Sequence, residues 1–148
     1  MNTTLLTDGA IDAIGHEHHE LQRLYAKIRA TLDVRGGRVE SVRDLFVVLT
    51  RRVREHFENE EKGGYFREIL ELAPRFSNEA DRLQREHAEL LDVAEQLAEN
   101  IHHAQDSEIW RKAIQSDFEA FLCRCERHEA AETRLVQDAY LQDIGAMD

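Results

Sequence analysis

Residues 42–60, VRDLFVVLTRRVREHFENE, decide the fold, because one helical face of this stretch passes from apolar to polar side chains without a change of period. Its members are Val42, Phe46, Leu49, Val53, His56 and Glu60. Since they are spaced alternately by four and three residues, they lie along one stripe of an α-helix. The stretch therefore predicts a helix that packs into a core, and the core becomes polar near the end of that helix.

Three further segments have the same spacing, and each stripe again contains a histidine. The first is Ile11, Ile14, His18, Leu21, Tyr25, Ile28 and Leu32; the second is Leu83, His87, Leu90, Ala94, Leu97 and Ile101; the third is Ile114, Phe118, Phe121, Cys125, His128, Glu132, Leu135 and Ala139. Breaks are expected at residues 35–37, near Pro74 and at residues 103–107. We predict an all-α fold, an up-down-up-down four-helix bundle that forms one domain over residues 1–148. The predicted helices are near residues 8–33, 39–73, 77–103 and 107–142, with a kink at 63–64.

Composition narrows the possible partners and compartments. The 148 residues contain 30 Asp plus Glu against 19 Lys plus Arg, and the net charge of −11 argues against broad electrostatic contact with nucleic acid or anionic lipid. No apolar run approaches the roughly 18 residues that span a bilayer. Cys123 and Cys125 are too few for a disulfide framework. We therefore expect a cytoplasmic protein without nucleic-acid or membrane partners.

The polar members of the four stripes are expected at one depth in the bundle. At about 1.5 Å per residue, His18 and His87 both lie roughly 15 Å from the starts of their helices, and counting from the opposite ends of the other two helices reaches a similar level. The resulting set is His18, His56, Glu60, His87, His128 and Glu132. Burying such groups without partners would cost several kcal/mol for each ionised group. A pair of bound cations would compensate, because imidazole nitrogens and carboxylate oxygens then become metal ligands.

The His-x-x-x-Glu spacing suits a site for two metal ions. Residues i and i+4 are neighbours on a helix, so His56 and Glu60 can reach one centre, as can His128 and Glu132. Each carboxylate can bridge two ions through its two oxygens. Two six-coordinate ions need about twelve bonds, of which the side chains supply about eight and a bridging oxo or hydroxo group about two. About two positions remain open for a small ligand.

The ordered set resembles the hemerythrin-like, or HHE cation-binding, domains over nearly the whole chain. The motifs that carry the resemblance are Glu17-His18, His56-Phe57-Glu58-Asn59-Glu60-Glu61, Glu86-His87 and His128-Glu129-Ala130-Ala131-Glu132. The resemblance implies a four-helix bundle with a non-haem di-iron centre in its core, oxo- or hydroxo-bridged. It implies terminal iron ligands at His18, His56, His87 and His128, and bridging ligands at Glu60 and Glu132. The same donor set also suits Mn or Zn.

Two departures from the oxygen-carrying hemerythrins bear on the reaction. Those proteins have a second histidine four residues after the third-helix ligand, where this chain has Leu91. They also have an Asp five residues after the fourth-helix ligand, whereas here Glu132 follows His128 by four. The set is more similar to the di-iron proteins that repair iron centres damaged by nitric oxide or peroxide. Ferritin-like carboxylate proteins use Glu-x-x-His and more carboxylates, so they fit less well.

Three functions follow as hypotheses. The first is a di-iron protein that binds or reacts with a small oxidant, namely dioxygen, peroxide or nitric oxide, under oxidative or nitrosative stress. The second is an iron donor or repair factor, whose partner would be a redox protein or an iron-client protein. The third is a metal-free helical interaction protein. The three hypotheses differ in whether the chain is an enzyme.

Other histidines compete with the proposed set. The phase of the first stripe selects His18 over His16 and His19, which flank the stripe. His102 and His103 lie roughly 22 Å beyond the third-helix ligand, which is too far for them to join the site. We therefore expect these four histidines to be peripheral.

Several other polar residues lie close to the set along the chain. Glu58, Glu61 and Glu129 are off the stripes, which favours solvation or hydrogen bonding to ligands over metal ligation. Cys125 is in phase one turn before the fourth-helix histidine, where it is either a small core residue or a thiol beside the metals. Tyr25 is either an ordinary core tyrosine or a donor to a metal-bound oxygen.

Overall fold

The structure, a computed structural model, describes residues 3–34, 38–105 and 107–147, with side chains described over residues 9–34, 38–105 and 107–141. The elements are α1 (Thr3–Asp33), α2 (Val39–Lys62), α3 (Tyr65–Leu72), a 3₁₀ turn (Pro74–Phe76), α4 (Ser77–His102) and α5 (Glu108–Met147). The long helices α1, α2, α4 and α5 form the four-helix bundle, and the described residues contain no strand. The all-α prediction is confirmed.

The helix bounds differ from the expected ones at both ends of the chain and in the second predicted helix. Helix α1 begins at Thr3 rather than near residue 8, and α5 continues to Met147 rather than ending near residue 142. The expected kinked helix over residues 39–73 is instead two helices, α2 and α3, separated by Gly63 and Gly64. The expected loop residues 35–37 and Asp106 lie outside the described residues.

The double glycine ends α2 and begins α3 by a change of backbone conformation. The Gly63 amide donates to the carbonyl of Asn59 at 2.8 Å, which completes the last turn of α2. Gly64 then has φ +95°, in the left-handed region that residues with a Cβ rarely adopt. Its carbonyl accepts from the Glu68 amide at 2.9 Å, so the next helix starts immediately. Because an α-helix cannot continue through a left-handed residue, α2 and α3 are two separate helices rather than one kinked helix.

We expect Gly64→Ala to lower the free energy of unfolding by about 1–2 kcal/mol, because a Cβ disfavours positive φ. The reverse effect is expected for Gly15→Ala in the middle of α1, where an added Cβ meets nothing within 4 Å. That control should gain roughly 0.5–1 kcal/mol from helix propensity. Urea unfolding of the two variants, both in metal-free protein, measures the difference. Equal stability of Gly64→Ala and the parent chain would contradict the role of the left-handed turn.

The polar stripe residues lie between two apolar clusters. The larger cluster fills one end of the bundle and includes Leu21, Val53 and Leu90. The smaller cluster includes Ile14 and Leu135 and is completed by α3. Along α1, α4 and α5, the histidines and glutamates of the stripes lie between residues of the two clusters. In α2 they follow the larger cluster, and the smaller cluster begins in the next helix, α3. They therefore form a polar layer with apolar packing on both sides.

None of the helices in the described part of the chain has the length and apolar character needed to cross a membrane.

Candidate metal centre

All six stripe residues that were predicted as ligands meet in the polar layer. Five are buried, and His18 is 17% exposed at its side chain. Their potential ligand atoms form two groups in which all atoms lie within 4.8 Å of one another. One group contains His18 and His56, the other contains His87 and His128, and both glutamates belong to both groups. The geometry therefore provides two adjacent positions that share two carboxylates.

The ring pairs support this division into two positions. His18 and His56 have ring centroids 4.7 Å apart with the planes at 67°, and His87 and His128 are 4.9 Å apart at 61°. Each pair joins neighbouring helices, α1 with α2 and α4 with α5. Each position thus draws its nitrogens from one half of the bundle and its carboxylates from both halves.

Unsatisfied polar atoms test whether cations fit this layer. Both carboxylate oxygens of Glu60 and of Glu132 are buried without a hydrogen-bond partner, as are the Nε2 atoms of His18, His87 and His128. Leaving such atoms unpaired costs about 1–3 kcal/mol each, and more when the group is charged. Metal coordination removes that penalty at once for the whole set. The mixed nitrogen and oxygen donors suit iron, manganese or zinc.

The close contacts inside the layer do not replace this role. The Nε2 atom of His56 contacts Glu60 Oε1, and Nε2 of His128 lies 3.1 Å from Glu132 Oε1. Glu60 Oε1 and both atoms of the second contact nevertheless lack hydrogen-bond geometry. The atoms are close together without being aligned with one another, which is the arrangement of ligands around a shared ion.

The two carboxylates are electrostatically coupled. Burial, followed by the neighbouring Glu60 carboxylate, raises the pKa of Glu132 well above its usual range. Two buried carboxylates this close cannot both ionise cheaply in the metal-free chain. A divalent or trivalent cation between them removes the repulsion and lets both serve as anionic ligands.

Two glutamates outside the layer hold the histidines in place. Glu17 Oε1 lies 2.7 Å from Nδ1 of His56, and Glu17 Oε2 accepts from Asn59 Nδ2 at 2.9 Å. Glu86 Oε1 lies 2.7 Å from Nδ1 of His128. When Nδ1–H donates to a carboxylate, the ring is held in the tautomer that leaves Nε2 free as a ligand.

These supporting glutamates were not identified from the sequence, although a signal was present. Glu17 and Glu86 each directly precede a stripe histidine, within the related pentapeptides Glu-His-His-Glu-Leu at residues 17–21 and Glu-His-Ala-Glu-Leu at residues 86–90. Each glutamate supports the histidine of the neighbouring helix rather than the one beside it in sequence. The repeated Glu-His pair indicates a shared role, but the crossed pairing depends on how the helices are placed.

Two phenylalanine rings pack against the histidine pair His87 and His128. The ring of Phe57 is stacked on His87, with centroids 4.0 Å apart and planes at 5°. The same ring meets His128 edge-on at 5.8 Å, while Phe66 of α3 lies 5.9 Å from His87. The ring of His87 thus contacts two aromatic rings, which limits its rotation. Its Nδ1 lies 3.4 Å from Glu61 Oε1, so this off-stripe acid is close to a predicted ligand.

The competing histidines lie outside the layer. His16 and His19 are exposed on α1, and His102 and His103 are exposed at the other end of the bundle, with ring centroids 5.2 Å apart. His18 is therefore the member of the first-helix group that reaches the carboxylates, with Nε2 3.9 Å from Glu60 Oε1.

The remaining candidates divide by burial. Glu58 is exposed, whereas Glu129 is half-buried and burial raises its pKa. Cys125 and Tyr25 are both buried members of the larger apolar cluster, next to the polar layer. Burial also raises the pKa of the Cys125 thiol to about 12. The thiol is therefore protonated at neutral pH and packs as a core residue in the metal-free chain.

The two cysteines are expected to differ sharply in reactivity, because the thiolate is the nucleophile. Cys123 is exposed and Cys125 is buried. Alkylation of the native metal-free chain by iodoacetamide at pH 8 should modify one thiol quickly and the other only on unfolding. Peptide mapping should find the fast label on Cys123, and Cys123→Ser should remove the fast phase. A fast phase that persists in this variant would contradict the burial of Cys125.

Comparison with known proteins agrees with the geometry. The family model described as hemerythrin HHE cation binding domain matches residues 9–140, which include all six residues of the polar layer. No curated protein and no solved structure matches the chain. The family is described by its binding of cations, and the buried histidines and glutamates are compatible with such a site. The chain therefore belongs to the hemerythrin HHE cation-binding domain family.

Proposed function

We propose that the protein holds two iron ions in the polar layer and binds or reacts with a small oxidant, namely dioxygen, peroxide or nitric oxide. The observation that carries this proposal is the pair of four-residue groups that share Glu60 and Glu132. Shared carboxylates imply two ions rather than one, because a carboxylate has two oxygens and can bind one ion through each. Glu60 already divides in this way, since its Oε1 lies near His18 while its Oε2 lies 3.5 Å from Nε2 of His87. Four protein ligands per position leave a six-coordinate ion short of about two, so room remains for a bridging group and a small ligand.

The residues of the polar layer and those around it have separate parts in this proposal. The four histidines would hold the ions through ring nitrogens, and Glu17 and Glu86 fix two of the rings. Glu60 and Glu132, which belong to both groups, would be shared by the two ions and would offset their positive charge. The apolar clusters on both sides limit the access of water to the layer along the bundle axis. When bound, the iron pair supplies one-electron redox chemistry and open positions for the ligand.

Iron analysis of the protein after expression in iron-replete medium tests the proposal. We expect about two irons per chain, because the two groups form two sites. Near-ultraviolet absorption bands of an oxo-bridged ferric pair should accompany the iron. Less than about one iron per chain would contradict the proposal, and another metal in equal amount would redirect it to manganese or zinc.

The second candidate function, iron donation to a damaged client, is favoured by the position of His18. This residue lines a groove of about 380 Å³ between α1 and α5, together with Gly15, Glu129 and Ala130. Gly15 and Ala130 are small, so part of the groove lining carries little side-chain bulk. The groove gives one ion a route between the layer and solvent. A donor requires such a route, whereas a carrier of a diatomic ligand does not need to release its metal.

We expect Gly15→Leu to slow the removal of iron by a ferrous chelator several-fold, because the larger side chain projects into this groove. An added Cβ at Gly15 meets nothing within 4 Å, so the variant should fold. Gly9→Leu is the matched control, since Gly9 is also in α1, exposed and without neighbours within 4 Å of an added Cβ. Identical release rates in the two variants would contradict this route. Transfer of iron to an apo-cluster protein without consumption of peroxide would favour donation over reaction with oxidants.

The setting and partners belong to the same proposal. Two free cysteines, one of them exposed, are compatible with the reducing cytoplasm. The small ligand would be the oxidant, and a redox or iron-client protein would exchange electrons or iron with the centre. A role in oxidative or nitrosative stress would follow from that reactivity.

A further inference from the structure

A groove between α4 and α5 concentrates positive charge on an otherwise acidic chain. Its volume is about 530 Å³, and four arginines line it, namely Arg82, Arg124, Arg127 and Arg134. One carboxylate, Glu86, and the small side chains Ala130 and Ala131 complete the lining. The chain as a whole carries a net charge of −11. A local cluster of this sign is therefore opposite to the overall field of the protein.

Two of the four arginines form a salt bridge with a glutamate. Arg82 Nη2 lies 2.6 Å from a Glu79 oxygen, and Arg124 Nη2 lies 3.3 Å from a Glu89 oxygen. Arg127 and Arg134 have no carboxylate within 4.0 Å in the part of the chain that the structure describes.

The unpaired charges lie along one helix. Arg127 and Arg134 are two turns apart on α5, roughly 10 Å along the axis. Between them stand Ala130 and Ala131, which leave the backbone open to close approach. The groove therefore has two arginines without a salt bridge to any described residue, with two alanines between them.

The corresponding groove on the other half of the bundle shows that this charge is not a general property of the surface. That groove lies between α1 and α2 and has a volume of about 550 Å³. It contains Glu17, which contacts Nδ1 of His56 in the same way as Glu86 contacts Nδ1 of His128. It is lined by three basic side chains and three glutamates, so its charges balance. Of these two grooves, only the one between α4 and α5 therefore has an excess of positive charge.

We propose that the groove between α4 and α5 docks the carboxylate-rich face of a protein partner that exchanges electrons or iron with the centre. An extended acidic surface fits better than a small anion, because two guanidinium groups on positions roughly 10 Å apart match successive carboxylates rather than one phosphate. The partner would lie against Glu86, one hydrogen bond from His128. This docking role rests on the proposed function of the centre, whereas the binding surface itself does not require metal.

Binding of a fluorescein-labelled oligoglutamate peptide to the metal-free chain, followed by fluorescence anisotropy at low ionic strength, tests the surface. We expect Arg127→Glu/Arg134→Glu to weaken binding at least about 10-fold, because both unpaired charges are reversed. The control is Arg51→Glu/Lys112→Glu, which reverses two exposed charges elsewhere and gives the same net charge. Binding should weaken as the ionic strength rises to about 0.15 M, where the screening length is about 8 Å.

The outcomes separate this proposal from the others. Loss of binding in the groove variant with retention in the control supports the docking surface. Equal losses in both variants, or no binding by the parent chain, would overturn it. Displacement of the peptide by phosphate, but not by chloride at equal ionic strength, would show a small-anion site and would also overturn it. Because the metal-free chain is used, a failure of iron binding leaves the result interpretable.

Discussion

Glu132→Gln is expected to abolish iron binding and to remove the stability that bound iron confers. Both groups of potential ligand atoms include this carboxylate, so its loss affects both positions. A ligand present at about 1,000 times its dissociation constant stabilises the folded state by about 4 kcal/mol, and this contribution should disappear. The amide is similar in size to the carboxylate, so packing should be retained while the anionic bridge is lost.

In the metal-free state, Glu132→Gln is not expected to lower the stability of the fold. Burial and the Glu60 carboxylate raise the pKa of Glu132 in the folded chain. A carboxyl group with a raised folded pKa destabilises the folded state above its unfolded pKa of about 4.3, because it must either ionise in the core or take up a proton. Glutamine removes that cost. Metal-free Glu132→Gln should therefore be as stable at pH 7 as the metal-free parent, or more stable by about 1 kcal/mol.

Thermal unfolding with and without iron measures the stability of the variant in both states, and iron analysis measures its iron content. Glu58→Gln is the control, because Glu58 is exposed and lies outside both groups. It should bind iron as the parent does. If Glu132→Gln left iron content and stability unchanged, the metal-free interaction bundle would become the better interpretation.

Glu86→Gln is expected to weaken iron binding by about 10- to 100-fold without preventing it. The carboxylate accepts from Nδ1 of His128 at 2.7 Å, which makes the ring a more basic ligand and holds its orientation. The amide oxygen of glutamine can still accept this hydrogen bond, but it carries no charge. Glu17→Gln should act in the same way through His56.

The matched controls for this prediction are Glu89→Gln and Glu20→Gln. Each control residue lies three positions after the supporting glutamate in the same pentapeptide, and each is exposed. Competition against a ferrous chelator of known affinity measures binding, and circular dichroism checks the fold of each variant. Affinities equal to the controls would show that Glu17 and Glu86 are surface residues without influence on the site.

Much of the centre could be predicted because helical periodicity is local. Residues three and four apart share a face whatever surrounds the helix, so the stripes identified His56 with Glu60 and His128 with Glu132. Counting residues placed the set at one depth, and the structure brings it together. The end of the second long helix was less predictable. A Gly63-Gly64 pair is compatible with a kink within one helix as well as with a break between two helices, and the left-handed conformation of Gly64 makes it a break.

The sequence by itself determined the four amphipathic helices, their polar layer and the six side chains that compose it, because each depends on spacing within one helix. Only the tertiary structure decided which histidines pair, that Glu17 and Glu86 support the neighbouring helix, and that one groove is basic while its counterpart is balanced. Those features depend on the rotation and offset of one helix against another. These quantities are set by the packing of the whole core, and no single helix encodes them.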